Sequence, residues 1–196
     1  MREDITLYVL RHGACEHNLQ GRIAGQNDSP LTPLGREQAR ANGLVLKELV
    51  ADPSRLAHFS SSLHRACVTM ELMREAAGLD PFRYLADRRL MEIDCGENTW
   101  ASWPQIEARA SKDPMWQRDR WHYVHPRGES LAMLEARVLD FLGSLPGDTV
   151  IVTHAGPLRM IRKRLLGLSE TAALEFDPPN AGIMRVCGGA ECWFGA

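Results

Sequence analysis

Two histidines, two arginines and one glutamate stand just after stretches that read as β-strands. Arg11 and His12 follow "ITLYVL", Arg65 ends the block that follows a second strand, Glu92 lies in or just after "RRLMEI", and His154 follows "TVIV". Open α/β sheets bind ligands at the carboxyl ends of their strands, so these segments can converge on one crevice. The set suits phosphoryl transfer. A guanidinium fork matches phosphate oxygens and stays charged. Neutral imidazole can attack phosphorus, and a carboxyl group can protonate the departing oxygen. The turn His154-Ala155-Gly156-Pro157 adds main-chain N–H groups at a helix start, which makes Ala155 a further candidate for holding an anion. This chemistry requires no metal and no cofactor, and the chain has neither G-x-x-x-x-G-K-[ST] nor H-E-x-x-H.

The elements that must position these groups alternate along the chain. Residues 5–10 read as a buried strand, and Thr32-Pro33 supplies an N-cap and first-turn proline for a helix to about Val50. A strand over about residues 56–60 precedes a helix over about residues 63–77 that stops near Gly78 and Pro81. Strand then helix, twice over, predicts βαβ units on a parallel sheet, an α/β fold. Ser130 opens a helix with Leu131, Leu134, Val138 and Leu142 on one face. The "TVIV" strand leads into a helix from about Pro157 to Leu166, and "AGIMRV" and "ECWFG" read as closing strands. Residues 98–127 hold Trp100, Trp103, Trp116 and Trp121 and are weakly periodic, apart from a short helix over about residues 104–110. This insert reads either as a lid over the site or as a cluster packed on one edge.

A chain of 196 residues has room for one well-buried core, and residues 1–196 are read as a single domain. Twenty-three Lys and Arg against 25 Asp and Glu give a net charge of −2, which argues neither for nucleic acid nor for an anionic membrane, and no such partner is expected. The charged N-terminus does not resemble a signal peptide, and no stretch reaches the length of a membrane span. The five cysteines form no C-x-x-C pair and are odd in number, which favours a reducing cytoplasm over a disulfide framework or a zinc ribbon.

Six blocks, "LRHGACEHN", "GRIAGQNDSPLTPLGREQA", "SSSLHRA", "MEIDCGE", "PRGES" and "VTHAGPLR", resemble in order and spacing the motifs of the histidine phosphatase superfamily, in its phosphoglycerate mutase-like branch. The resemblance runs from about Thr6 to Asn180. It implies a three-layer α/β/α fold with a mostly parallel central sheet and a small cap over the C-terminal strand ends. It also implies a phosphohistidine intermediate with His12 as nucleophile. Arg11, Arg65 and His154 would hold the phosphoryl group, Asn18 would add a hydrogen bond, and Glu92 would protonate the leaving oxygen and then activate water.

Several positions depart from the family pattern: Cys15 replaces the usual threonine, His17 a frequent tryptophan, and Ala155 a common glycine. Ala24-Gly25 stands where phosphoglycerate mutases carry Thr-Gly, which weakens the case for a phosphoglycerate substrate. Cys15 lacks the arginine six positions on that tyrosine phosphatases need, since Gly21 stands there, and it reads as a small buried thiol. Glu92 is favoured over its neighbours Asp94 and Glu97. His17 and His64 read as supporting or surface residues, His122 and His125 as a solvated or substrate-facing pair, and Glu129 and Ser130 as support for His12 or, for Ser130, a helix cap. The resulting expectation is a metal-independent phosphatase acting on a small phosphomonoester, such as a sugar phosphate, a phosphorylated amino acid or a nucleotide-like ester such as α-ribazole phosphate. A cofactor-dependent phosphoglycerate mutase and a non-catalytic phospho-ligand binding module are the alternatives. Mutases of this branch carry extra segments that enclose the site, and a chain of this length leaves little room for them.

Overall fold

The computed structural model describes residues 5–195. Among them, strands β1 (Leu7–Arg11), β2 (Ala57–Ser61), β3 (Leu85–Asp87), β4 (Thr149–Thr153), β5 (Ile183–Cys187) and β6 (Ala190–Phe194) form one sheet in the order β3-β2-β4-β1-β5-β6. The first four run parallel, β5 pairs antiparallel with β1, and β6 pairs antiparallel with β5. The helices are α1 (Glu16–Leu19), α2 (Pro33–Leu49), α3 (His64–Ala76), α4 (Trp103–Ala110), α5 (Pro114–Arg118), α6 (Leu131–Gly143), α7 (Ala155–Leu166) and α8 (Glu170–Glu175).

Alternation along the central strands divides the core into two. Leu7, Val9 and Ile151 face α6 and α7, meeting Leu134, Val138, Phe141, Leu158 and Ile161. Tyr8, Leu10, Val150 and Val152 face the other way, onto Leu46 of α2 and Ala66, Met70 and Met73 of α3. Side chains at successive strand positions point to opposite faces, so a strand buried on both sides reads as a continuous apolar run. The result is a three-layer α/β/α arrangement. Helix starts follow local chemistry: Thr32 Oγ1 accepts from Gly35 N at 3.0 Å ahead of Pro33, and Ser130 Oγ accepts from Met133 N at 3.2 Å.

The sequence reading placed Glu92 at the end of a strand. Residues 88–90 instead form a 3₁₀ turn, β3 lies upstream at Leu85–Asp87, and Glu92 sits in the loop beyond. Arg88-Arg89 are not strand-like, and Asp87 caps the turn by accepting from Arg89 N at 2.8 Å. Helix α7 begins at Ala155 rather than Pro157, which places the proline in its first turn. The tryptophan-rich insert is anchored at both ends: Trp121 is buried in the α6–α7 core, while Trp100 N donates to Ile23 O at 2.7 Å and Ile23 N to Ala101 O at 3.0 Å.

Two glycines fix how β1 continues. A Cβ on Gly13 would lie 2.1 Å from Gly35 O, and one on Gly35 would lie 2.0 Å from Ala14 O. The turn after His12 and the first turn of α2 are therefore in main-chain contact. Alanine in place of glycine ordinarily favours a helix by about 1 kcal/mol. Here the backbone clash outweighs it, since forcing atoms into a packed interior costs about 1–3 kcal/mol. Gly35→Ala is expected to lower the urea unfolding free energy by an amount in that range, and a neutral or stabilising effect would refute the close contact.

Candidate active site

Three neighbouring parallel strands deliver the centre of the site at their carboxyl ends: β1 leads to His12, β4 to His154, and β2 ends at Ser61. His12 N donates to Thr153 O at 2.9 Å, extending the β1–β4 ladder by one residue and holding the two histidines side by side, with ring centroids 5.0 Å apart. Arg65 comes from the first turn of α3. His12, Arg65 and His154 are all buried.

His12 Nδ1 lies 2.8 Å from Gly13 O. A carbonyl only accepts, so Nδ1 carries the proton and Nε2 keeps its lone pair. Arg65 Nε donates toward that nitrogen at 3.3 Å, and Arg65 Nη1 and Nη2 donate to the carbonyls of Asn27 (2.6 Å) and Gly25 (2.8 Å). Thr69 links the two elements, accepting from Gly13 N at 3.1 Å and donating to Arg65 O at 2.7 Å. Burial pushes the pKa values of His12 and His154 well below the ordinary histidine range, and the nearby Arg65 and Arg11 push the same way. Both imidazoles are neutral at neutral pH. His154 Nε2 lies 2.7 Å from Ser61 Oγ.

The helix start expected to hold an anion receives the Glu92 side chain instead. A carboxyl oxygen of Glu92 accepts from Gly156 N at 3.1 Å and from Ile93 N at 2.8 Å. Ala155 is the first residue of α7, beside His154. Gly156 admits this contact sterically, because a Cβ there would sit 2.3 Å from Glu92 Oε1. The Glu92 segment is clipped from behind: Arg137 Nη2 donates to Glu92 O at 3.0 Å and Nη1 to Arg89 O at 2.7 Å, and Thr153 Oγ1 donates to Leu90 O at 2.8 Å. The neighbouring carboxylates are engaged elsewhere. Asp94 accepts from Gly96 N at 2.8 Å, and Glu97 pairs with Arg127 at 3.3 Å on the surface.

Arg11 Nη1 donates to Pro178 O at 2.8 Å, and its Nε is buried without a partner among the described residues. The segment that receives Arg11 is tied down by Asn180 Nδ2 donating to His12 O at 2.8 Å and Arg159 Nε donating to Phe176 O at 2.7 Å. Asn18 is not joined to this cluster by any hydrogen bond. Its Oδ1 accepts from Cys15 N at 3.1 Å and Cys15 Sγ at 3.0 Å, closing the short α1.

Other sequence expectations are corrected here. Glu129 supports the Glu92 loop rather than His12, accepting from Arg137 Nε at 3.1 Å and Asp94 N at 2.9 Å, and Ser130 caps α6. His17 is buried in a stack on Trp100, with centroids 4.0 Å apart, whereas His64 is exposed. His122 is exposed beside Asp119, and His125 is buried against Asn98 at 3.2 Å, so the two do not act as a pair. The sequence gives no role to Ser61, Arg137, Arg159 or Asn180, and it offers the Gly156 N–H to a ligand rather than to Glu92. The one available signal was position: Ser61 lies in the Arg65 block and Gly156 follows His154 directly.

Neutral imidazole with its lone pair on Nε2, a cationic cradle and a carboxyl group on the adjacent helix start can together transfer a phosphoryl group. The family model for the histidine phosphatase superfamily (branch 1) matches residues 7–194. The probable phosphoglycerate mutase GpmB of Escherichia fergusonii is 31% identical over 192 residues, covering 93% of this chain and 84% of its own length. Among solved structures, TTHB049 from Thermus thermophilus has 33% identity and a TM-score of 0.70, with 93% of both chains covered. A mycobacterial glucosyl-3-phosphoglycerate phosphatase, solved with VO3, has 27% identity and a TM-score of 0.74 over 97% of this chain and 96% of its own. The likeness reaches past the strand-end histidines to nearly the whole length of β1 through β6, and the chain belongs to the histidine phosphatase superfamily, branch 1.

Proposed function

We propose that this protein is a phosphatase that hydrolyses a small phosphomonoester through a phosphohistidine at His12. The observation that carries the reading is the committed tautomer of His12: Nδ1–H is bound to Gly13 O, which leaves a neutral Nε2 beside the Arg65 guanidinium. Nε2 attacks phosphorus while the ester P–O bond breaks, and Glu92 gives its proton to the departing oxygen. Glu92 then takes a proton from water, whose oxygen attacks phosphorus, and the P–N bond breaks to return the lone pair to His12. Arg11, Arg65 and His154 hold the phosphoryl oxygens, as do main-chain groups at Ala155. Asn18 offers a further hydrogen bond through Nδ2. The glucosyl-3-phosphoglycerate phosphatase relative supports hydrolysis.

A second reading, phosphoglycerate mutase, is favoured by the curated relatives described as probable phosphoglycerate mutases. Side-by-side assays with 3-phosphoglycerate and p-nitrophenyl phosphate separate the two. Phosphate release without isomerisation is the expected outcome, and rapid isomerisation with little phosphate release would reverse the assignment.

His12→Ala is expected to abolish an acid-labile, base-stable phosphoenzyme and to lower kcat by about 10⁴-fold or more. Near-normal turnover would end the proposal. Glu92→Gln should slow turnover by about 10²–10⁴-fold, most for esters with poor leaving groups. A stopped-flow series over phenols of graded acidity measures that dependence.

The buried imidazoles also predict a pH effect. A histidine whose folded pKa lies below its unfolded value binds protons more readily in the unfolded chain. The unfolding free energy should therefore fall as pH drops through about 6.5, by up to about 1.4 kcal/mol per pH unit for each such group. Urea unfolding between pH 7.5 and 5.5 tests this, and His154→Gln should make the fall shallower.

A further inference from the structure

His154 has one engaged nitrogen and one idle one. Nε2 lies 2.7 Å from Ser61 Oγ, while Nδ1 is buried with no hydrogen-bond partner among the described residues. Ser61 ends β2, the strand paired with β4, and is fully buried. Its main chain is held in place, because its carbonyl accepts from Ser60 Oγ at 3.0 Å and Cys67 Sγ at 3.3 Å. Its hydroxyl oxygen accepts from Leu63 N at 3.3 Å.

A neutral imidazole owns a single N–H, and the bond at one nitrogen decides which of the two carries it. If Nε2–H donated to Ser61, the serine oxygen would accept twice and its own proton would be left buried without an acceptor. Nδ1 would then be a bare lone pair, repelling any phosphoryl oxygen that approached it. If Ser61 O–H donates to Nε2 instead, the hydroxyl is satisfied in both directions and Nδ1 carries the proton. Each arrangement leaves one buried donor unpaired, but the first also leaves the Nδ1 lone pair bare, so the second, with one unmet group instead of two, is the lower in energy.

We propose that Ser61 is a positioning residue that fixes His154 as its Nδ1–H tautomer, so that the idle nitrogen meets the phosphoryl group as a donor. This rests on the reading of His154 as a phosphoryl-holding residue. It accounts together for the short Ser61 contact and for a buried nitrogen that has no hydrogen-bond partner among the described residues.

Nitrogen-15 imidazole spectra of the wild-type protein, with His154 assigned by its loss in His154→Gln, should show a protonated Nδ1 and an unprotonated Nε2. The opposite pattern overturns the inference whatever the variants do. Ser61→Ala should lower kcat/KM for p-nitrophenyl phosphate by about 10- to 100-fold, less than deleting a donor outright, and should mix the His154 tautomers. Ser61→Thr, which keeps the hydroxyl, should restore most of the loss. A folded Ser61→Ala with unchanged kcat/KM and unchanged tautomer would sink the idea. Titration of the wild type with inorganic phosphate tests the underlying reading separately. Failure to bind phosphate would remove that reading and this inference together, whereas binding alongside an Nε2–H His154 would remove the inference alone.

Discussion

Arg65 carries a permanent charge into a position only 2% exposed, and much of the site follows from that. A buried guanidinium must find acceptors inside the protein, or the fold bears a heavy desolvation cost. The acceptors are His12 Nε2 and the carbonyls of Gly25 and Asn27, so the loop after α1 is shaped around the arginine. The nearest carboxylate, Asp28, stands 3.6 Å away and is half exposed. Carbonyls satisfy the donors without cancelling the charge. What remains is a buried positive pocket that favours an anion, and in it burial first and the arginine charge second keep the adjacent imidazoles neutral.

The parts of this arrangement that could be read from the chain are those set by local pattern. The apolar runs of β1 and β4, the Thr32-Pro33 start of α2 and the Ser130 cap of α6 are each dictated by a few neighbouring residues, and all three were legible. So were His12, Arg65, Glu92 and His154 as residues for one crevice, because each follows or lies near a strand end. The Glu92 loop was misread because its path is set by Arg137, Thr153 and Glu129, which lie far from it in sequence. Gly156 was read as part of an anion site for a ligand, yet its N–H is satisfied by Glu92. Such partners become visible only once α6 and α7 are packed on the sheet.

The insert shows strain and packing in balance. Trp100 adopts φ of 72°, a left-handed conformation that costs a bulky residue about 1–3 kcal/mol. Its main-chain bond to Ile23 and its stack on His17 hold it there. His17 thus finds its aromatic neighbour in a tryptophan from another part of the chain. Burial and Arg65 push the His17 pKa down, so the stack involves a neutral ring.

The strand order carries a consequence for how the molecule is made. β4 lies between β1 and β2, yet it is Thr149–Thr153 and leaves the ribosome long after both of them. Until then β1 and β2 have no partner on the sides that will meet it, and unpaired strand edges of this kind invite pairing with other chains. His12 and Ser61 wait on separate pieces of unfinished sheet. Synthesis order therefore makes the arrival of one five-residue strand the moment at which these two edges are covered and His12, Ser61 and His154 can come together.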